Sequence, residues 1–216
     1  MSLATEGFDV GSLSLGPIDS GTSVLLTGDD TDALQSVFSQ LVAADDDERS
    51  IVLSTGSGGR AVQRDLNSAR TGAGSRASVL TCEGPAAGDD IQTVDDVSDL
   101  TRLGMDFSTL VASAQQHSDR FRSGIMLCST IASEVEDTRS LYRFLNSNFL
   151  TELRRGDGIG VCALDTSADI GADMSSTISG LQTSFSAHID VEKTGPGQAT
   201  LTVDGLDGQE TVDVSL

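Results

Sequence analysis

Ser23-Val24-Leu25-Leu26-Thr27-Gly28, followed by Asp29-Asp30-Thr31-Asp32-Ala33-Leu34, reads as a short apolar strand that turns on a glycine into a helix. The helix is set by Leu34, Val37, Phe38, Leu41 and Val42, which share one face at helical spacing. An apolar strand feeding an amphipathic helix is half of a βαβ unit, and the alternation recurs along the chain. Ile51-Val52-Leu53 begins a second strand, which ends in the turn Gly56-Ser57-Gly58-Gly59. Ser78-Val79-Leu80-Thr81-Cys82, Gly124-Ile125-Met126-Leu127-Cys128 and Gly160-Val161-Cys162-Ala163-Leu164 read as the third, fourth and fifth. Residues 97–120 read as helical, with Leu100, Leu103, Leu110 and Val111 toward the core. A clearer helix spans 138–155, where Leu141, Phe144, Leu145, Phe149 and Leu153 share a face. Asp137 suits its N-cap, and Arg154, Arg155 and Gly156 suit its C-terminal end. Residues 185–191 and 199–203, joined at Gly195-Pro196-Gly197, predict a closing antiparallel hairpin. The polar stretch 84–96 follows neither pattern. The expected architecture is one α/β domain over residues 1–216: a mainly parallel central sheet flanked by helices, with a C-terminal antiparallel hairpin.

Charge narrows the function classes. The chain holds 33 Asp+Glu against 13 Lys+Arg, a formal net charge of -20, and Lys193 is its only lysine. Asp outnumbers Glu about threefold, and the acids are dispersed rather than gathered in a tail. A surface of this kind fits a salt-adapted cytoplasm, since molar salt shortens the Debye length to about 3 Å and blunts self-repulsion. Duplex DNA and anionic membranes would be repelled rather than bound. No apolar run approaches the ~20 residues of a membrane span, and the opening MSLATEGFDV has no leader pattern. Three cysteines without C-x-x-C spacing fit reduced thiols, and the expected location is cytoplasmic.

Phe8-Asp9, then Ile18-Asp19-Ser20-Gly21-Thr22 leading into the first strand and Gly28, resembles the opening of RecA/KaiC-like ATPases. The downstream order is similar: a second strand, a strand in the Walker B place ending near Cys128-Ser129, a long helix and a late hairpin. The resemblance covers nearly the whole chain, but through pattern and order rather than an intact motif.

A phosphate loop needs G-x-x-x-x-G-K-[ST]: glycines let backbone N–H groups wrap the phosphates, lysine neutralises them and the hydroxyl holds Mg²⁺. Counting from Gly28 through Asp29, Asp30, Thr31 and Asp32, Ala33 falls at the second glycine, Leu34 at the lysine and Gln35 at the hydroxyl. No lysine precedes residue 193, so no realignment restores one. The Walker B aspartate position meets Cys128-Ser129, and the family's catalytic glutamate, expected after the second strand, meets Thr55-Gly56.

Three missing requirements imply a non-hydrolysing relative: a pseudo-ATPase with no catalytic residues, no cofactor and no metal site. Its expected role is regulation or scaffolding through protein contacts, with an active ATPase of the same fold or with itself. The alternative is a sensor binding a nucleotide weakly and without metal, for which Gly56-Ser57-Gly58-Gly59 is the remaining Gly-rich loop. The carboxylates at the first helix start either occupy the place of a phosphate or act as an ordinary N-cap at Asp30, and Glu83 would add charge to the same rim. Cys82, Cys128 and Cys162 read as core thiols, and His117 and His188 as isolated.

Overall fold

The computed structural model of the protein describes residues 7–135, 137–206 and 208–216. The first six residues of the stretch read for a leader lie outside these. Nine strands form one sheet: β1 Ser23–Gly28, β2 Glu48–Ser54, β3 Ala77–Thr81, β4 Ile91–Thr93, β5 Arg120–Met126, β6 Asp157–Asp165, β7 Ala187–Gly195, β8 Gln198–Asp204 and β9 Gln209–Ser215. Their spatial order is β4-β3-β2-β5-β6-β1-β7-β8-β9. Every pairing from β4 to β7 is parallel, and β7-β8-β9 continues as an antiparallel meander. The predicted hairpin is therefore present, but its first strand pairs parallel with β1, and β9 extends it.

The central strands are apolar on both faces because helices cover both. All six residues of β1 are buried. Val24 and Leu26 face one core with α1 (Thr31–Val42) and α2 (Gly59–Ala69). Leu25 faces the other, built from α3 (Leu100–Gln115), α4 (Cys128–Glu134), α5 (Thr138–Phe144), α6 (Leu150–Arg155) and α7 (Met174–Gln182). The predicted helix over 138–155 is one helical body interrupted by a π turn at Leu145–Phe149. Leu141, Phe144, Leu145, Phe149 and Leu153 are all buried, and Asp137 caps the body by accepting from the Arg139 N–H at 2.9 Å.

Several boundaries differ from the sequence reading. The helix of 97–120 ends at Gln115, and Arg120 opens β5. The fourth predicted strand stops at Met126, so Cys128 begins α4. The polar stretch 84–96 contains β4, an edge strand held by Val79↔Ile91 register. Helices α2 and α7, which the sequence reading does not assign, carry only two buried residues each beyond the small Gly59.

At the amino ends of β2 and β5 the Phe8-Asp9 lead-in closes the sheet. Phe8 and Ile18 exchange backbone hydrogen bonds of 2.8 and 2.9 Å, and Phe8 is fully buried. The Arg120 guanidinium lies 4.2 Å from its ring centroid. Arg122 is 0 % exposed beside Glu48 at 4 %. Its guanidinium donates to Glu48 at 2.5 Å, to the Leu41 carbonyl at 3.1 Å and to the Asp9 carbonyl at 3.0 Å.

Candidate functional site

In a parallel α/β sheet, ligands sit at the carboxyl ends of the strands, on the first helix N-terminus. Here β1 ends at Gly28 and α1 starts at Thr31, so Asp29 and Asp30 are the whole connection. Asp30 is the N-cap: its backbone is extended and one carboxylate oxygen accepts from the Ala33 N–H at 2.9 Å. The other oxygen accepts from Lys193 Nζ at 2.8 Å. The hydrogen bond from Lys193, then that from Ala33, lowers the Asp30 pKa, and the same pairing raises that of Lys193. Asp30 is thus an N-cap that satisfies one N–H of the first turn with one carboxylate oxygen and pairs with Lys193 through the other.

The neighbouring positions are committed elsewhere. Leu34, in the lysine place, is fully buried in the core, and Gln35 donates to Asp65 of α2 at 2.7 Å. Asp29 and Asp32 are exposed. Gly28 has no space for a side chain, because a Cβ would lie 2.9 Å from the Val191 carbonyl of β7. Thr31 donates to Asp165 at 2.7 Å. Asp165 ends β6 directly opposite Gly28. Partial burial opposes its charge, yet bonds from the Ser167 and Thr31 hydroxyls and from the Ser167 and Ala168 N–H groups prevail and lower its pKa. The Ser129 hydroxyl, 2 % exposed, accepts from the Asp165 N–H at 3.4 Å.

At the Walker B place, Leu127 stands between β5 and α4 in the left-handed region, at φ 62° and ψ 57°. That conformation costs a leucine of order 1 kcal/mol or more and persists where surroundings enforce it. Thr55, in the catalytic glutamate place, supplies the enforcement: its hydroxyl donates to the Met126 and Leu127 carbonyls at 3.1 and 3.0 Å. Cys128 is buried beside it as the first residue of α4.

The sheet order joins some predicted site residues and separates others. Gly28, Asp29, Asp30, Thr31 and Asp32 meet Asp165 and Ser129 where β1 and β6 end, while Thr55 and Cys128 lie at the neighbouring β2–β5 end. Glu83 does not share the α1 rim. Strand β3 is four places from β1, about 19 Å at the usual strand spacing, and Glu83 flanks Gly58 at the start of α2. Asp165 and Lys193 were not legible as site residues: each reaches the helix end only through the β6-β1-β7 neighbourhood, 134 and 163 residues from its partner.

The histidines and cysteines are structural in their contacts. His188 is not isolated, since it belongs to a relay in which Gln182 bonds its Nδ1 at 2.9 Å and its Nε2 meets Thr27 Oγ1 at 2.9 Å. Thr27 donates onward to Asp190 at 2.5 Å, which leaves its oxygen free to accept from Nε2 of the ring. Burial lowers the His188 pKa against the opposing charges of Asp190 and Asp204. His117 is exposed at the end of α3, near the Ser113 carbonyl at 3.1 Å. Cys128 and Cys162 are buried in one core beside each other, and burial, reinforced by Cys128, raises the Cys162 pKa. Among the described residues no cluster of three metal-ligating side chains occurs, and no helix is long and apolar enough to cross a membrane.

This sheet order, the late meander and the strand-end site define a KaiC-like RecA fold. The structure is similar to the crystal structure of a KaiC-like protein from the hyperthermophilic archaeon Pyrococcus horikoshii, with a TM-score of 0.56 and 14% identity over 91% of this chain and 90% of that one. A family model described as a family of unknown function, DUF7504, matches residues 21–191, and the chain belongs to that family. No curated protein matches it.

Proposed function

We propose that the chain is a non-catalytic RecA/KaiC-like domain that acts as a regulatory or scaffolding protein through protein contacts, with an active ATPase of the same fold or a second copy as its partner. One observation carries this reading: the β1–α1 connection is two residues long, and its helix end is filled by the Asp30–Lys193 pair. A triphosphate there would have to displace a carboxylate that already satisfies the helix and a lysine that already has its counter-charge. The expected setting is a salt-rich cytoplasm, on the dispersed acidic charge.

Titration calorimetry with ATP and Mg²⁺ in molar KCl tests it, alongside phosphate release. The expected result is no saturable binding below millimolar nucleotide and no turnover; micromolar affinity or steady hydrolysis would overturn the reading. The sensor alternative has its own supporting feature, since Gly58, the N-cap residue of α2, supplies no side-chain cap. Weak binding whose amide shifts map to residues 56–60 and persist in EDTA would favour that alternative.

A further inference from the structure

The described residues expose one large hydrophobic side chain, Met105, which is 66 % accessible. It stands on the lip of a cleft of about 820 Å³ between the first turns of α3 and the α4–α5 corner. Next to the cleft, α3 packs closely on the π turn. Gly104 is in van der Waals range of Asn148, and a Cβ at Gly104 would fall 2.4 Å from its side-chain nitrogen. Beside that crossing Leu100, Val135 and Phe144 are among the residues that line the cleft. Met105 therefore stands with a few apolar neighbours in a cleft that is otherwise polar, and methionine adapts readily to partners of different shape.

The rim states which partner fits. Among the described residues, Asp99, Glu134, Asp137 and Arg143 are the charged groups that line the cleft. Asp99 and Asp137 each cap a helix, accepting from Arg102 N–H at 3.0 Å and Arg139 N–H at 2.9 Å. Those helix ends offset about half a charge each, which leaves the lining negative on a chain of net charge -20. We infer that this cleft is the docking site for a partner segment that inserts one large apolar side chain beside Met105 and carries Arg or Lys on its flanks. The inference rests on the reading of the chain as a partner-binding domain and names the surface that reading requires.

The test uses the full chain labelled with ¹³C-methyl methionine and, as probe, a short acetylated and amidated helical peptide with leucines at i, i+4 and i+7 flanked by arginines. Two control peptides replace the arginines by glutamates or the leucines by glutamines. At about 0.15 M KCl, where the exposed rim charges still act over several ångströms, the arginine–leucine peptide is expected to shift the Met105 methyl while leaving those of Met126 and Met174 in place. Both controls should bind at least roughly tenfold more weakly, and Met105→Ser should cost about the same factor without altering the fold. Glu192→Gln, which removes one negative charge on distant β7, should leave affinity unchanged. Undetectable binding, equal loss in Glu192→Gln, or unchanged affinity in Met105→Ser would overturn the inference. Concentration-dependent self-association abolished by Met105→Ser would overturn it too, by assigning the cleft to a second copy. ATP binding is read separately: nucleotide affinity with an occupied cleft would sink the non-catalytic reading alone, and the converse would sink the cleft alone.

Discussion

Replacing Arg122 by methionine removes a guanidinium with no exposed surface and three hydrogen bonds, to Glu48 and to the Leu41 and Asp9 carbonyls. Glu48 would remain 4 % exposed, retaining the Asp45 N–H at 2.9 Å and Arg120 at 3.5 Å. Breaking one side of a buried ion pair costs about 3–5 kcal/mol, because the remaining charge is left without compensation. Arg120 still neutralises part of that charge, which places the expected cost near 3 kcal/mol, a large share of the roughly 5–15 kcal/mol that hold a domain together. With a urea slope of about 2 kcal/mol/M, the unfolding midpoint should fall by about 1.5 M. The double change Arg122→Met with Glu48→Met should recover at least half of the loss, since the orphaned carboxylate goes with its partner. Equilibrium urea unfolding in molar KCl, followed by circular dichroism, measures both. A single change costing less than about 1 kcal/mol, or a double change as costly as the sum of the two singles, would refute the assignment of Arg122 as the buried tie between the Phe8-Asp9 lead-in, α1 and the sheet.

Three further outcomes are expected. His188 has a folded pKa below its ordinary value of 6.5, so its contribution to stability is complete above that pH. The contribution should be lost as pH falls from 6.5 toward the folded pKa, because the unfolded chain binds the proton first; urea midpoints against pH should flatten over this window in His188→Gln. The Cys82 thiol is pushed up to about 11 by burial and Glu83. At pH 8 only about one thiol in a thousand would be thiolate, and Ellman's reagent should label the native protein far more slowly than the unfolded one. Fast native labelling of Cys82 would contradict that burial. Raising KCl from tenths of molar to molar should raise the thermal midpoint by several degrees, as screening relieves repulsion across a chain of net charge -20; a flat or falling midpoint would remove the salt-adaptation reading.

Much of the strand-and-helix frame was legible because it depends on local periodicity. Leu34, Val37, Phe38, Leu41 and Val42 mark α1, and 23–28, 51–53 and 160–164 mark strands buried on both faces. Lys193 was singled out as the only lysine, although its destination was not. What escaped the reading had weak periodicity or distant partners. Helix α7 buries only Thr177 and Leu181, and β4 is a three-residue edge strand. The left-handed Leu127 leaves no mark in a pattern of apolar residues, because its cause is Thr55, 72 residues away.

The chain by itself determined that an apolar strand turns on a glycine into an acid-rich helix start, and that no lysine lies near them in sequence. Only the tertiary structure decided what those acids do. Strand order is set by long-range burial rather than by local pattern, and it brings β6 and β7 to either side of β1. That placement puts Asp165 against Thr31 and carries Lys193 back to Asp30, so the helix dipole, the carboxylate and the ammonium satisfy one another within a single turn.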